Sequence, residues 1–182
     1  MVRRQAARRR DRLNGRMPHR VVGIVGRKDS GKTQLVLRLV ELLVARGLSV
    51  STVKHTHHHD FEFDTPGKDS YRHAAAGARE VILASDRRWA LFHGGEATPP
   101  LAQLLERLAP CDLVLVEGYK SLEGLRRIEV WRGAAPGPLA LQDPGIDAIA
   151  CPAGCALPDC PGRPMRLDLE DTAAIAARIL QE

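Results

Sequence analysis

Apolar and polar positions alternate along the chain in blocks that predict strands and helices in turn. Short apolar or β-branched runs over 20–26, 48–54 and 112–116 predict strands, and the Leu-rich run over 32–46 predicts a helix that stops at Gly47. The same pattern predicts later elements, namely a short helix (69–76), two strands that pair as a hairpin (79–85 and 88–93), a helix (99–108), two strands (127–132 and 146–151) and a C-terminal helix (170–181). Alternating strands and helices favour an α/β fold with a mostly parallel sheet and helices on both faces.

One glycine-containing stretch lies between the first strand and the first helix. It reads Gly26-Arg27-Lys28-Asp29-Ser30-Gly31-Lys32-Thr33, which matches the P-loop pattern G-x-x-x-x-G-K-[ST]. Its glycines let consecutive N–H groups face an anion, and the helix that follows adds its positive N-terminal end. We expect Lys32 to reach the β- and γ-phosphates and the Thr33 hydroxyl to bind Mg²⁺. A plain strand-to-helix turn is the alternative, and the flanking elements favour the P-loop.

A P-loop requires a second acidic group for Mg²⁺, and two acids are candidates. Glu117 directly follows an apolar strand, at the end where ligands bind in parallel α/β sheets. Asp64 opens the sequence Asp-Thr-Pro-Gly, a D-x-x-G pattern like that of GTPase switch loops. Asp112 opens its strand rather than closing it, so we expect it at the far edge of the sheet. We therefore predict Thr33, Asp64 and Glu117 as Mg²⁺ ligands.

A run of histidines follows the second predicted strand, in the sequence Lys-His-Thr-His-His-His-Asp. It includes Lys54, His55, His57 and His58. Imidazoles and an ammonium group at the end of a strand suit contact with phosphate or a pterin. They also suit a Zn²⁺ or Ni²⁺ site, and a purely structural role is the third reading.

Charge is distributed unevenly along the chain. Residues 1–20 hold eight arginines and one acid, which leaves 19 basic and 21 acidic residues in the remainder. We expect residues 1–19 to be a disordered, solvated tail and 20–182 to be one P-loop domain. The pattern gives no strong reason to expect a nucleic-acid partner. The four cysteines do not follow a recognised zinc spacing, so we expect them to be free thiols. No apolar run is long enough to span a membrane, and we expect a cytoplasmic protein.

Several short motifs together resemble the MobB family, the adapter proteins of molybdopterin-guanine dinucleotide biosynthesis. The resemblance is dense over about residues 19–132. Besides the P-loop, the motifs are Lys54-His55-x-His57-His58, Asp64-x-Pro66-Gly67-Lys68-Asp69-Ser70-Tyr71-Arg72-His73, Glu117-Gly118-Tyr119-Lys120 and Ile128-Glu129-Val130-x-Arg132.

The resemblance implies a three-layer P-loop NTPase fold with a β-hairpin elaboration, and a homodimer. It implies GTP with Mg²⁺ as ligand, slow hydrolysis at best, and the guanylyltransferase MobA as partner. Molybdopterin or its guanine dinucleotide is a further implied ligand. By motif, Gly67, Lys68 and Asp69 would line the same face as the histidines and the P-loop. The chain departs from guanine-specific GTPases because it lacks an N-K-x-D motif, so the preference for guanine rests on the resemblance.

Three other functions stay open from the residues alone. A small-molecule kinase could use the same P-loop, although no lid segment is evident. A metallochaperone-type GTPase could use the histidine run as its metal site. Binding of nucleic acid through the arginine tail is the weakest of the three.

Overall fold

The computed structural model describes residues 20–56, 64–95, 97, 99–119 and 124–181. Two compact units make up the chain. Of the described residues, those up to His55 and from Leu108 onward form the first unit, and those within Thr56–Arg107 form the second. The arginine tail over 1–19 and the histidines at 57–59 lie outside the described residues, so the predictions that concern them stay predictions.

Eight strands and four α-helices are present in the described residues. In chain order they are β1 (Arg20–Val25), α1 (Lys32–Ala45), β2 (Val50–Lys54), α2 (Asp69–Ala75), β3 (Glu80–Ala84), β4 (Trp89–His93), α3 (Leu101–Glu106), β5 (Leu113–Glu117), β6 (Arg126–Val130), β7 (Ala148–Cys151), β8 (Met165–Asp168) and α4 (Thr172–Leu180). The α/β fold and the paired hairpin predicted from the sequence are confirmed.

The first unit is built on a six-stranded sheet in the order β2-β5-β1-β6-β7-β8, in which every pairing is parallel. Because β1 lies between β5 and β6, the P-loop that follows it begins at the centre of the carboxyl edge, where α/β sheets bind ligands. Strands β1 and β5 are almost entirely buried, which explains their continuous apolar sequences. Helices α1 and α4 share one apolar core with this sheet.

Strand β8 was not predicted, and the sequence pattern indicated no element between the strand at 146–151 and the C-terminal helix. Three of its four residues are exposed, and only Leu167 is buried. An edge strand of this kind has no apolar run to mark it in the sequence, and its parallel pairing with β7 is a long-range contact. Its position therefore depends on tertiary structure.

The connection between β6 and β7 (residues 131–147) contains no α-helix, only a 3₁₀ turn at Leu139–Leu141. Two buried charged side chains of β6 hold it. Glu129 is fully buried and accepts hydrogen bonds from the backbone N–H groups of Leu139 and Ala140, at 2.6 and 3.0 Å. Arg127 forms a two-bond ion pair with Asp143. Burial raises the pKa of Glu129, although the two N–H donors act in the opposite direction.

The second unit contains α2, α3 and the antiparallel hairpin β3–β4. The hairpin pairs Ile82 with Leu91 and Ala84 with Trp89. Glu80 accepts a hydrogen bond from His93 and forms an ion pair with Arg107, and these contacts lower the pKa of Glu80. No helix in the described part of the chain is long and apolar enough to cross a membrane.

We predict that Glu129→Gln lowers the free energy of unfolding by about 1–3 kcal/mol. Glutamine has one acceptor oxygen, so its NH₂ group would face one of the two N–H donors in a buried site. Urea unfolding measures the change. Glu170→Gln is the matched control, since the Glu170 side chain is 68% exposed and its ion pair with Arg38 is worth at most about 1 kcal/mol. Equal stability of the two variants would contradict the structural role of Glu129.

Candidate functional site

The backbone of the P-loop adopts a shape that glycine permits at two places. Gly26 has φ = 146°, and a Cβ there would lie 2.5 Å from the carbonyl oxygen of Val130. Gly31 has φ = 96°, and Asp29 between them also lies in the left-handed region, with φ = 59°. Left-handed residues next to a helix start form the concave backbone that binds phosphate groups. The loop is therefore an anion cradle by conformation as well as by sequence.

Two arginines anchor the P-loop to neighbouring segments. Arg27 donates its Nε–H to the carbonyl of Gly137, 3.1 Å away in the β6–β7 connection. Arg132, two residues after β6, donates its Nε–H to the carbonyl of Ser30 at 3.0 Å. The guanidinium of Arg132 lies so close to Gly31 that a Cβ there would be 3.0 Å from it. Arg132 was not predicted as a site residue, although it ends the motif Ile-Glu-Val-x-Arg.

Side chains inside the loop are arranged for phosphate contact. Lys32 donates from Nζ to the carbonyl of Arg27 at 2.6 Å, which folds its ammonium group back over the loop. The Ser30 hydroxyl is buried and has no hydrogen-bond partner among the described residues. A buried hydroxyl without a partner carries an energetic penalty that a bound phosphate oxygen would remove. These features fit a nucleotide phosphate.

Thr33, Glu117 and Lys54 meet beside the loop. The Thr33 hydroxyl donates to Oε1 of Glu117 at 2.7 Å. Lys54 Nζ lies 3.5 Å from the same Oε1 and 3.4 Å from Thr33 Oγ1. A hydroxyl and a carboxylate oxygen are the hard ligands that Mg²⁺ prefers. The donor set therefore fits Mg²⁺, and Thr33 and Glu117 are the residues here that could hold it.

His55 and Tyr119 extend this edge of the sheet. Their rings lie 4.7 Å apart with an interplanar angle of 57°. The backbone N–H of His55, the residue after β2, donates to the carbonyl of Glu117 at the end of β5. Gly118, the residue after β5, has φ = 92°. A Cβ on Gly118 would come within 3.0 Å of the His55 carbonyl, so the turn after β5 requires glycine. Burial raises the pKa of Tyr119.

The remaining predicted site residues belong to the second unit or lie outside the described chain. Asp64 accepts a hydrogen bond from the N–H of Thr65, and Gly67 turns the chain with φ = 86°. Lys68 precedes α2, and Asp69 begins it. That these four residues line the nucleotide site stays a prediction, as does any role of His57 and His58.

Asp112 lies at the amino end of β5, as predicted, and accepts hydrogen bonds from the hydroxyl and the N–H of Ser49. These bonds lower the pKa of Asp112. All four cysteines are free thiols, and burial raises the pKa of Cys151 and Cys160. Among the described residues, no group of three or more His, Cys, Asp or Glu side chains could hold a metal ion.

Comparison with known proteins identifies the family. Residues 21–152 match the family model of molybdopterin guanine dinucleotide synthesis protein B. The chain belongs to the MobB family. The match includes the P-loop, Glu117 and Arg132, which are the residues that build the site described above.

Named relatives of the MobB family agree with this. The chain is 41% identical over 143 residues to the molybdopterin-guanine dinucleotide biosynthesis adapter protein of Haemophilus influenzae, covering 76% of each protein. It is 43% identical over 113 residues to the Escherichia coli protein of the same name, covering 58% of this chain and 62% of that one.

Solved structures in the MobB family have the same fold. The crystal structure of Bacillus subtilis MobB superposes with a TM-score of 0.67 at 25% identity, covering 89% of this chain and 98% of that one. A crystal structure of molybdopterin-guanine biosynthesis protein B gives a TM-score of 0.63 at 27% identity, covering 88% and 97%. The family assignment and the three-layer P-loop fold expected from the motifs are therefore confirmed.

We predict that Arg132→Met weakens nucleotide binding by about two- to tenfold, the worth of one net hydrogen bond. Without its bond to Ser30, the apex of the P-loop loses an anchor. Calorimetric titration with a nucleoside diphosphate measures the affinity. Arg46→Met is the matched control, because it removes the same charge at the exposed far end of α1. Equal affinities of the two variants would contradict the anchoring role.

Proposed function

We propose that the chain is a GTP-binding adapter protein in the biosynthesis of molybdopterin guanine dinucleotide, a molybdenum cofactor. The observation that carries the proposal is a P-loop in anion-binding conformation, with the Thr33–Glu117 pair beside it, in a member of the MobB family. The names of the Haemophilus influenzae and Escherichia coli relatives supply the pathway.

The nucleotide part of the proposal follows from the loop. Gly26 to Thr33 would surround the phosphates, with Lys32 as the cation and the Ser30 hydroxyl as an additional donor. Thr33 and Glu117 would hold Mg²⁺, with Asp64 as a predicted third ligand. When bound, Mg²⁺ would neutralise phosphate charge and orient the terminal phosphate. GTP rather than ATP is proposed from the family resemblance.

Slow hydrolysis is part of the proposal. Glu117 accepts a hydrogen bond from Thr33 and pairs with Lys54, an arrangement suited to holding a cation rather than to taking a proton from water. Arg27 and Arg132 each use their Nε–H on a backbone carbonyl. They are therefore engaged in shaping the loop. A small-molecule kinase gains no specific support from these contacts.

The proposed partners are MobA and a second copy of the chain, and the second proposed ligand is molybdopterin or its guanine dinucleotide. The hairpin supports a homodimer, because Ile82 and Trp89 on one of its faces are 65% and 71% exposed. Exposed apolar side chains grouped on one surface are typical of interfaces. A cytoplasmic location remains the expectation from composition.

We predict that GTP binds at least about tenfold more tightly than ATP, the difference that roughly one additional base contact would give. Lys32→Ala should weaken binding of both nucleotides by about tenfold or more, because it removes a charged hydrogen bond to phosphate. Isothermal titration calorimetry with Mg²⁺ measures both. Equal affinities for GTP and ATP would contradict the guanine preference, and unchanged binding by Lys32→Ala would contradict the P-loop site.

We also predict that the wild-type chain increases the yield of molybdopterin guanine dinucleotide made by MobA from molybdopterin and GTP. Alone, the chain should turn over GTP more slowly than the ~1–100 s⁻¹ of kinases. Product is measured by chromatography, with the Lys32→Ala variant as the inactive control and Arg46→Met as the active one. No difference with and without the wild-type chain would exclude the adapter role.

A further inference from the structure

Lys54 is placed by the register of the sheet. Strands β2 and β5 pair in parallel so that Lys54, the last residue of β2, lies opposite Glu117, the last residue of β5. Glu117 reaches Thr33 of the P-loop helix, and the Lys54 ammonium approaches both oxygens of that pair, at 3.4 and 3.5 Å. A cation thus already sits against the two oxygens that would hold Mg²⁺.

The two sides of this contact differ in solvent exposure. The Glu117 side chain is only 10% exposed, whereas the Lys54 side chain is 59% exposed. Glu117 and Thr33 are fixed by their strand, helix and mutual hydrogen bond, while a lysine on a four-carbon stem can turn into solvent or toward another anion. The ammonium group is therefore the member of the cluster that can move at low cost.

Mg²⁺ cannot share these oxygens with the ammonium group without repulsion. Magnesium binds oxygen at about 2.0–2.1 Å, so an ion on Thr33 Oγ1 would lie within a few ångströms of Lys54 Nζ in its present position. The two positive charges would face each other across a poorly solvated carboxylate. This repulsion favours the departure of Lys54 when a metal binds.

We propose that Lys54 is an exchange residue, which in the metal-free protein occupies the place of the divalent cation beside Glu117 and Thr33. When Mg²⁺ arrives with the nucleotide, Lys54 leaves these two side chains. It then contacts the terminal phosphate of a nucleoside triphosphate. The inference rests on the proposed function, since it concerns the same nucleotide site. It makes Lys54 a residue that distinguishes triphosphate from diphosphate. Binding of the metal and recognition of the γ-phosphate are then coupled through the Lys54 side chain.

Lys54→Met tests this exchange, because methionine keeps much of the length and apolar stem but removes the charge. With GDP bound, the variant should take up Mn²⁺ about fivefold more tightly or better than the wild type, since no cation has to be displaced. Free Mn²⁺ is measured by electron paramagnetic resonance. With saturating Mg²⁺, the same variant should lose about fivefold or more of the wild-type preference for GTP over GDP, measured by calorimetry.

Two control variants show whether the effects come from the charge at position 54. Lys54→Arg keeps the charge and should restore most of the wild-type preference for GTP, and Arg46→Met should match the wild type in both measurements. Opposite signs for the metal and the triphosphate are the expected result, because a merely structural lysine would weaken both affinities together.

The outcomes separate this inference from the function on which it rests. If the wild type binds GDP and GTP but Lys54→Met changes neither the Mn²⁺ affinity nor the GTP preference, the exchange is wrong and the nucleotide site stands. Weaker binding of Mn²⁺ by Lys54→Met would also overturn it. If the wild type binds neither nucleotide, the proposed function fails and the exchange fails with it.

Discussion

The hydrogen bond between Thr33 and Glu117 joins the parts of the molecule on which the site depends. Thr33 is the last residue of the P-loop and lies in the first turn of α1, and Glu117 ends β5 beside β1. The 2.7 Å contact therefore fixes the start of the helix to the sheet at the point where phosphate would bind. It also places a hydroxyl and a carboxylate side by side, which is the pair of hard oxygens that a magnesium site requires.

Hydrogen bonds to segments outside the P-loop help to hold its conformation. Arg27 reaches Gly137 in the β6–β7 connection, and that connection is in turn held to β6 by the buried carboxylate of Glu129. Arg132 holds the carbonyl of Ser30 from the other side. The loop is thus supported by charged side chains where many α/β proteins would pack a helix.

Much of this was predictable from local sequence. The eight-residue P-loop, the apolar strand that ends in Glu117 and the hairpin are each encoded by adjacent residues, and their positions agree with the prediction to within a few residues. Strand β8 was missed because only Leu167 of its residues is buried. The pairing of Lys54 with Glu117 and the bond from Arg132 to Ser30 were also missed. The first depends on the register between β2 and β5, and the second joins residues that are far apart in the sequence. Neither is encoded by hydrophobic periodicity or motif spacing.

The contacts around the P-loop lead us to propose that nucleotide phosphate and Mg²⁺ bind together at the carboxyl edge of β1 and β5. A crystal structure of the chain with Mg²⁺ and a non-hydrolysable GTP analogue would show whether they do. We expect phosphates within the loop from Gly26 to Thr33 and a Mg²⁺ ion about 2.1 Å from Thr33 Oγ1, with Glu117 bound to it directly or through water. Nucleotide bound elsewhere, or a metal that does not contact Thr33, would rule out this site.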